Sequence, residues 1–162
     1  MDDNPADRRI VVEVLRDSLD TVDVEEYSSG TAVLERIESG RLSGLKSPDL
    51  IFLDLDMPGI DGHTVLSSIK RDEAYRAIPI VVLSGSVADA DVNKAYTNHA
   101  NCYLQKPISL DGYLKTIGDC ARFWLSLAVR PTIQTPVQNE FERYSDSVGT
   151  KQQTSSSMAI HS

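Results

Sequence analysis

Leu50-Ile51-Phe52-Leu53-Asp54-Leu55-Asp56-Met57-Pro58-Gly59-Ile60-Asp61-Gly62 decides the fold of this chain. An unbroken apolar run ends in a carboxylate, and a proline-glycine turn follows at once. A run apolar on both faces suits a strand buried between two layers of helices. Asp54 then stands at the strand's carboxyl end, the edge where open parallel α/β sheets place their chemistry. A carboxylate there can bind a metal, act as a base, or serve as a nucleophile toward phosphorus.

Outward from this stretch, strands alternate with helices. Helical spacing of Ile10, Val11, Val14 and Leu15 predicts a helix from Ala6 to about Leu19. Val22 to Tyr27 reads as a short strand, Gly30 opens a helix, and Ser39 to Ser47 reads as a loop. After Asp54 come a helix with Val65, Leu66 and Ile69, a charged loop from Arg71 to Ala77, and a second buried strand from Ile78 to Ser84. A helix from Ala88 to His99 follows, with Val92, Ala95 and Tyr96 on one face, then a short strand from Cys102 to Leu104. Ser109 caps a long helix running past Trp124 to Leu127. The alternation predicts an α/β fold, a doubly wound parallel sheet with helices on both faces. Residues 1–130 read as one domain. Residues 131–162, broken by prolines and serine-rich from Lys151 to Ser157, read as a disordered tail with a short helix near Phe141 and Tyr144.

The 162 residues carry a net charge of −8 and are 41% hydrophobic. That acidity argues against a grip on nucleic-acid phosphates and against anionic membrane surfaces. No apolar stretch is long enough to span a bilayer, and the start of the chain lacks the marks of a signal peptide. A cytoplasmic protein with free thiols at Cys102 and Cys120 is the expectation. His63, His99 and His161 lack metal-ligand spacing.

Polar residues collect at the strand ends. Asp54 ends one strand and Ser84 the next, Lys106 follows the third, and Asp2 and Asp3 precede the first helix. In a doubly wound sheet these ends lie along one rim. Carboxylates suit a hard cation such as Mg²⁺, an ammonium and a hydroxyl suit phosphate oxygens, and Asp54 suits a phosphoryl acceptor.

The chain resembles the receiver domains of two-component response regulators. Asp2-Asp3-Asn4-Pro5, Asp54-x-x-Met57-Pro58-x-x-Asp61-Gly62, Ser84 and Lys106-Pro107 carry the likeness, in order. Ala74 to Pro79 and Phe123-Trp124-Leu125 are most similar to single-domain receivers that partner phytochrome-type sensor histidine kinases. The resemblance implies a flavodoxin-like sheet of order 2-1-3-4-5, with Asp54 phosphorylated by a kinase phosphohistidine. It implies Asp3 as a direct Mg²⁺ ligand, Asp2 supporting through water, and Asp56 lending its backbone carbonyl to the ion. Ser84 becomes the switch hydroxyl, Tyr103 the switch aromatic, and Lys106 the phosphate-binding lysine before a cis proline. Output is then by contact with an unidentified protein through the face of helix 88–99, strand 102–104 and the last helix.

One departure stands out. The family opens with a hydrophobic strand before the acidic pair, in the middle of the sheet, and here the pair follows Met1 directly. Either the true start lies upstream, the favoured reading, or the sheet is rearranged and the metal site loosened. Trp124 reads as core packing, with a homodimer surface on the last helix as the alternative. Arg8 and Arg9 read as a solvated face or a kinase contact. Two rivals remain open: a haloacid-dehalogenase-like phosphatase with Asp54 as nucleophile and Asp56 as acid, and a pseudo-receiver that takes no phosphate. A transcription factor is disfavoured, since nothing after Ala128 reads as a helix-turn-helix.

Overall fold

A computed structural model describes residues 1–19, 21–43 and 45–131. The predicted tail, with its short helix near Phe141 and Tyr144, lies outside the described residues apart from residue 131. Elements follow in the order α1 (Pro5–Ser18), α2 (Gly30–Ser43), β1 (Ile51–Asp54), α3 (Gly62–Arg71), β2 (Ile80–Ser84), α4 (Asp89–Thr97), β3 (Cys102–Gln105) and α5 (Leu110–Arg122). A single π-helical turn, Phe123–Leu127, extends α5. α2 runs five residues into the expected loop, and its last residue, Ser43, donates its hydroxyl to the Ser39 carbonyl.

The three strands form a parallel sheet in the order β1-β2-β3, with Asp54 opposite Leu83 and Ser84 opposite Gln105. Alternation along the strands sorts the core into two layers. Leu53, Ile80 and Val82 face Val65, Leu66 and Ile69 of α3 and Ala95 of α4. Phe52, Val81 and Leu83 face Val14 and Leu15 of α1 and Ile117 and Ala121 of α5. Five of these strand residues are almost wholly shielded, so β1 and β2 are buried on both sides, as their apolar composition requires.

On the other flank of β1 the first strand of the expected order 2-1-3-4-5 is cut short, as anticipated, and the strand expected beyond it is not formed among the described residues. Val22 to Tyr27 forms no ladder strand. What lies between it and β1 is the stub Met1-Asp2. The Met1 ammonium donates to the Phe52 carbonyl at 2.8 Å, the Asp54 amide donates to the Met1 carbonyl at 3.0 Å, and the Asp2 amide donates to the Tyr27 carbonyl at 3.1 Å. The stub thus occupies the top of a strand's place. Below it the Phe52 amide, which points to the same side as that of Asp54, meets no backbone carbonyl among the described residues. An open groove of about 750 Å³ continues the line of the stub, lined by Val11, Leu15 and Leu19 of α1, by Val22 and Val24, and by Phe52. A strand needs a hydrogen-bonded neighbour along its length, and residues 22–27 have one for a single rung.

Two glycines shape the turn after β1. Gly59 takes φ +82°, a left-handed conformation that side chains resist. Gly62, whose amide donates to the Leu55 carbonyl, packs so closely that a Cβ would overlap the Asp54 carbonyl oxygen. Asp61 caps α3 through the Thr64 amide at 2.7 Å. The turn therefore doubles back against the strand end and fixes Asp54.

A charged cluster at the carboxyl ends of the strands

Asp54, Ser84 and the loop bearing Lys106 end neighbouring parallel strands, so their side chains meet at one rim. Asp2 and Asp3 arrive from the opposite side, where the stub delivers them to α1. Asn4 caps that helix, its side chain accepting the Ala6 amide at 2.9 Å, and Pro5 starts it. Asp2, Asp54 and Ser84 are among the few buried polar residues, exposed by 5%, 5% and 1%.

Lys106 organises the cluster. Its backbone amide donates to the Ser84 carbonyl at 2.8 Å. Its ammonium donates to Asp2 Oδ2 at 2.7 Å, Asp7 Oδ2 at 3.0 Å and Asp54 Oδ2 at 3.0 Å. Burial alone would weaken the lysine's charge. The bonds to Asp2, Asp54 and Asp7 outweigh it and hold the ammonium far above its ordinary pKa. Burial pushes the Asp2 carboxyl up, and Lys106 and the Asn4 amide pull it back.

Asp54 Oδ1 accepts the Asp56 amide at 3.1 Å. The carboxylate of Asp56 turns away and accepts the Ser84 hydroxyl at 3.2 Å. Asp2, Asp3 and Asp54 each offer a carboxylate oxygen within 4.8 Å of the others, so three of the four residues expected at a metal converge through their side chains. Hard oxygen donors without sulfur or imidazole fit Mg²⁺ or Mn²⁺.

Tyr103 is half-buried against the core and donates its hydroxyl to the Ser86 carbonyl at 3.0 Å, two residues beyond Ser84. The hydroxyl of Tyr96 accepts the Tyr103 amide at 3.2 Å. The Lys106–Pro107 bond is trans, against the cis geometry expected from the resemblance; the lysine reaches Asp54 without it.

The structure adds one residue that the sequence did not single out, Asp7, and gives Arg8 a place that was not expected. Asp7 contacts Lys106 from the first turn of α1, one helical turn beyond Asp3. Arg8, expected on a solvated face or at a kinase contact, turns inward and donates to the carbonyls of Asp2 and Asp3 at 2.8 and 3.0 Å, bracing the acidic turn. Arg9 is the exposed one and pairs with Glu13. The spacing Asp3-x-x-x-Asp7, on a helix that begins at the acidic pair, was the available signal for Asp7.

The response regulator receiver domain family matches residues 1–117 of this chain. The probable methanogenesis regulatory protein FilR2 of Methanothrix harundinacea is 38% identical, covering 77% of this chain and 81% of that protein. Response regulator Rcp1 of Synechocystis is 35% identical, covering 81% and 90%. Among solved structures, the phosphorylated cyanobacterial phytochrome response regulator RcpA superposes with a TM-score of 0.76 at 36% identity, covering 81% and 94%. The Mn²⁺-bound form of Rcp1 superposes with a TM-score of 0.68 at 34% identity, covering 81% and 95%. The chain belongs to the response regulator receiver family of two-component signalling, whose members partner with sensor histidine kinases and bind Mg²⁺ or Mn²⁺ at an acidic pocket. The phosphatase reading gives way to this membership. No helix among the described residues is long and apolar enough to cross a membrane.

Proposed function

We propose that Asp54 accepts a phosphoryl group from a phosphohistidine of a partner sensor kinase, and that the chain works as a cytoplasmic switch read by protein contact. One observation carries the reading: the Lys106 ammonium lies 3.0 Å from Asp54 Oδ2 at the buried end of β1. In the transfer an Asp54 oxygen bonds to phosphorus, the phosphorus–nitrogen bond of the donor breaks, and the released imidazole nitrogen takes a proton. Asp54 lies in the crowded rim where an in-line donor must approach. Lys106 offers an N–H and a positive charge to the phosphoryl oxygens. Mg²⁺ held by Asp2, Asp3 and Asp54, with the Asp56 backbone carbonyl added, would supply further neutralisation of phosphate charge.

Ser84 and Tyr103 are the two-state element of this reading. The Ser84 hydroxyl now serves Asp56, and Tyr103 is tied to the Ser86 carbonyl. A phosphoryl group adds acceptor oxygens that compete for the Ser84 hydroxyl. Its departure from Asp56 draws on the loop that holds Tyr103, and the population shifts on the face of α4, β3 and α5. Tyr96, Leu110, Leu114 and Phe123 are exposed there, as a contact surface for an output protein or a second copy requires. Residues 1–130 act as the receiver and 131–162 as an appended tail. A pseudo-receiver would have no use for an ammonium aimed at Asp54.

Incubation with acetyl phosphate and Mg²⁺ should add the mass of one phosphoryl group to the intact protein. Asp54→Asn should abolish the addition. Undiminished labelling of that variant would remove Asp54 from the role.

A further inference from the structure

An ammonium has three N–H bonds to give. Lys106 gives all three to carboxylates, and Asp7 is the one of the three partners that does not belong to the converging group of Asp2, Asp3 and Asp54. An acidic residue in the first turn of α1 is favoured by the helix dipole wherever it points. That accounts for an aspartate at this position, and not for a carboxylate that reaches across to a lysine 99 residues away in sequence. Asp7 is also the only one of the three whose side chain keeps appreciable exposure, 23% against 6% for each of the others, so it could have turned to water.

We propose that Asp7 is a positioning residue for Lys106. With Asp2 it clamps the ammonium from the α1 side, so that the remaining N–H is aimed at Asp54. A cation shared by Asp2, Asp3 and Asp54 draws on two of the three lysine partners and repels the ammonium by like charge. Asp7 stays outside that group and remains the lysine's own anchor. When Asp54 carries a phosphoryl group, Lys106 exchanges its bond to Asp54 Oδ2 for one to a phosphoryl oxygen without releasing α1. Lys106 thereby ties α1, the acidic turn and the loop after β3 in both states. The inference rests on Asp54 as the phosphoacceptor.

The test is a double-mutant cycle with a second, metal-free readout. Asp7→Ala should slow labelling by acetyl phosphate roughly ten-fold, the worth of one charge-assisted hydrogen bond, and Asp7→Asn, which keeps a weaker acceptor, by less. In a Lys106→Met background Asp7→Ala should cause no further slowing. In the metal-free protein, an amine-directed reagent should modify Lys106 several-fold faster in Asp7→Ala, as read by peptide mass. Equal slowing in both backgrounds, or unchanged Lys106 reactivity, would overturn the clamp. The near-isosteric Asn variant guards against a trivial folding defect. Failure of the wild type to label at Asp54 would instead break the phosphoacceptor reading, and the reactivity arm would still decide whether Asp7 holds the lysine.

Discussion

On one flank of β1, β2 continues a parallel ladder whose side chains are sealed from both faces, with the half-buried β3 beyond it. On the other flank, two residues of backbone stand where a full strand would fit, and a groove runs on beneath them. Both flanks deliver carboxylates to the same rim: Asp54 from the closed side, Asp2 and Asp3 from the open one. The difference teaches that on the open flank a single rung of backbone holds the acidic pair at the rim. Three backbone hydrogen bonds made by Met1 and Asp2 with Phe52, Asp54 and Tyr27 place the acidic pair beside Asp54, and the groove continues below them.

The largest expected effect tests whether the open flank is already relaxed. Leu53→Ala, in the closed core, should destabilise by about 3–4 kcal/mol, because it removes a buried side chain and leaves a cavity. Leu15→Ala, beside the groove, should cost about half as much, since its surroundings are already loosely filled. Equal shifts in urea midpoint would mean that the two flanks are packed alike.

The next effect is a gain. Joining four apolar β-branched or leucine residues to Met1 should fill the groove, pair the Phe52 amide and stabilise the fold by about 2–3 kcal/mol after the entropy of ordering them. A serine-glycine extension of the same length should not. Identical urea midpoints for the two extensions would show that the groove is not a strand's place.

The smallest effect is a pH dependence. Burial lowers the Met1 ammonium to about 6 from an ordinary 8. The unfolded chain therefore binds more protons than the folded one between those values. Stability of the 162-residue chain should rise as pH goes from 6 to 8, by up to about 2–3 kcal/mol. Acetylating the amine should flatten most of that rise, leaving the slope due to His63, whose pKa burial also lowers. A rise that survives acetylation undiminished would place its origin elsewhere.

Asp54 and Ser84 were legible because each ends an apolar run, and a polar group that terminates a buried strand can only point at the edge; Lys106 and the acidic pair were legible from their order around these two. The helices were legible from their apolar spacing and, for the last one, from the Ser109 cap; the caps at Asn4 and Asp61 emerged only in the structure. Val22 to Tyr27 has the composition of a strand, but a strand is made by its neighbour, and composition does not reveal whether the neighbour is there. Asp7 and Arg8 were not legible as site residues for a related reason. Each looks like an ordinary charge on a first turn, and only the tertiary approach of Lys106 and of the acidic turn gives them partners. The end of α2 was misjudged because glycine and serine were read as breakers inside a helix that continues through Gly40.

The position of the Met1 nitrogen has a practical corollary for anyone handling this protein. It points into the sheet beside Phe52 rather than away from the molecule. An affinity tag or fluorescent fusion placed on that end must be threaded through the groove, and a hydrophilic one would prise the first two residues from the backbone that carries Asp54.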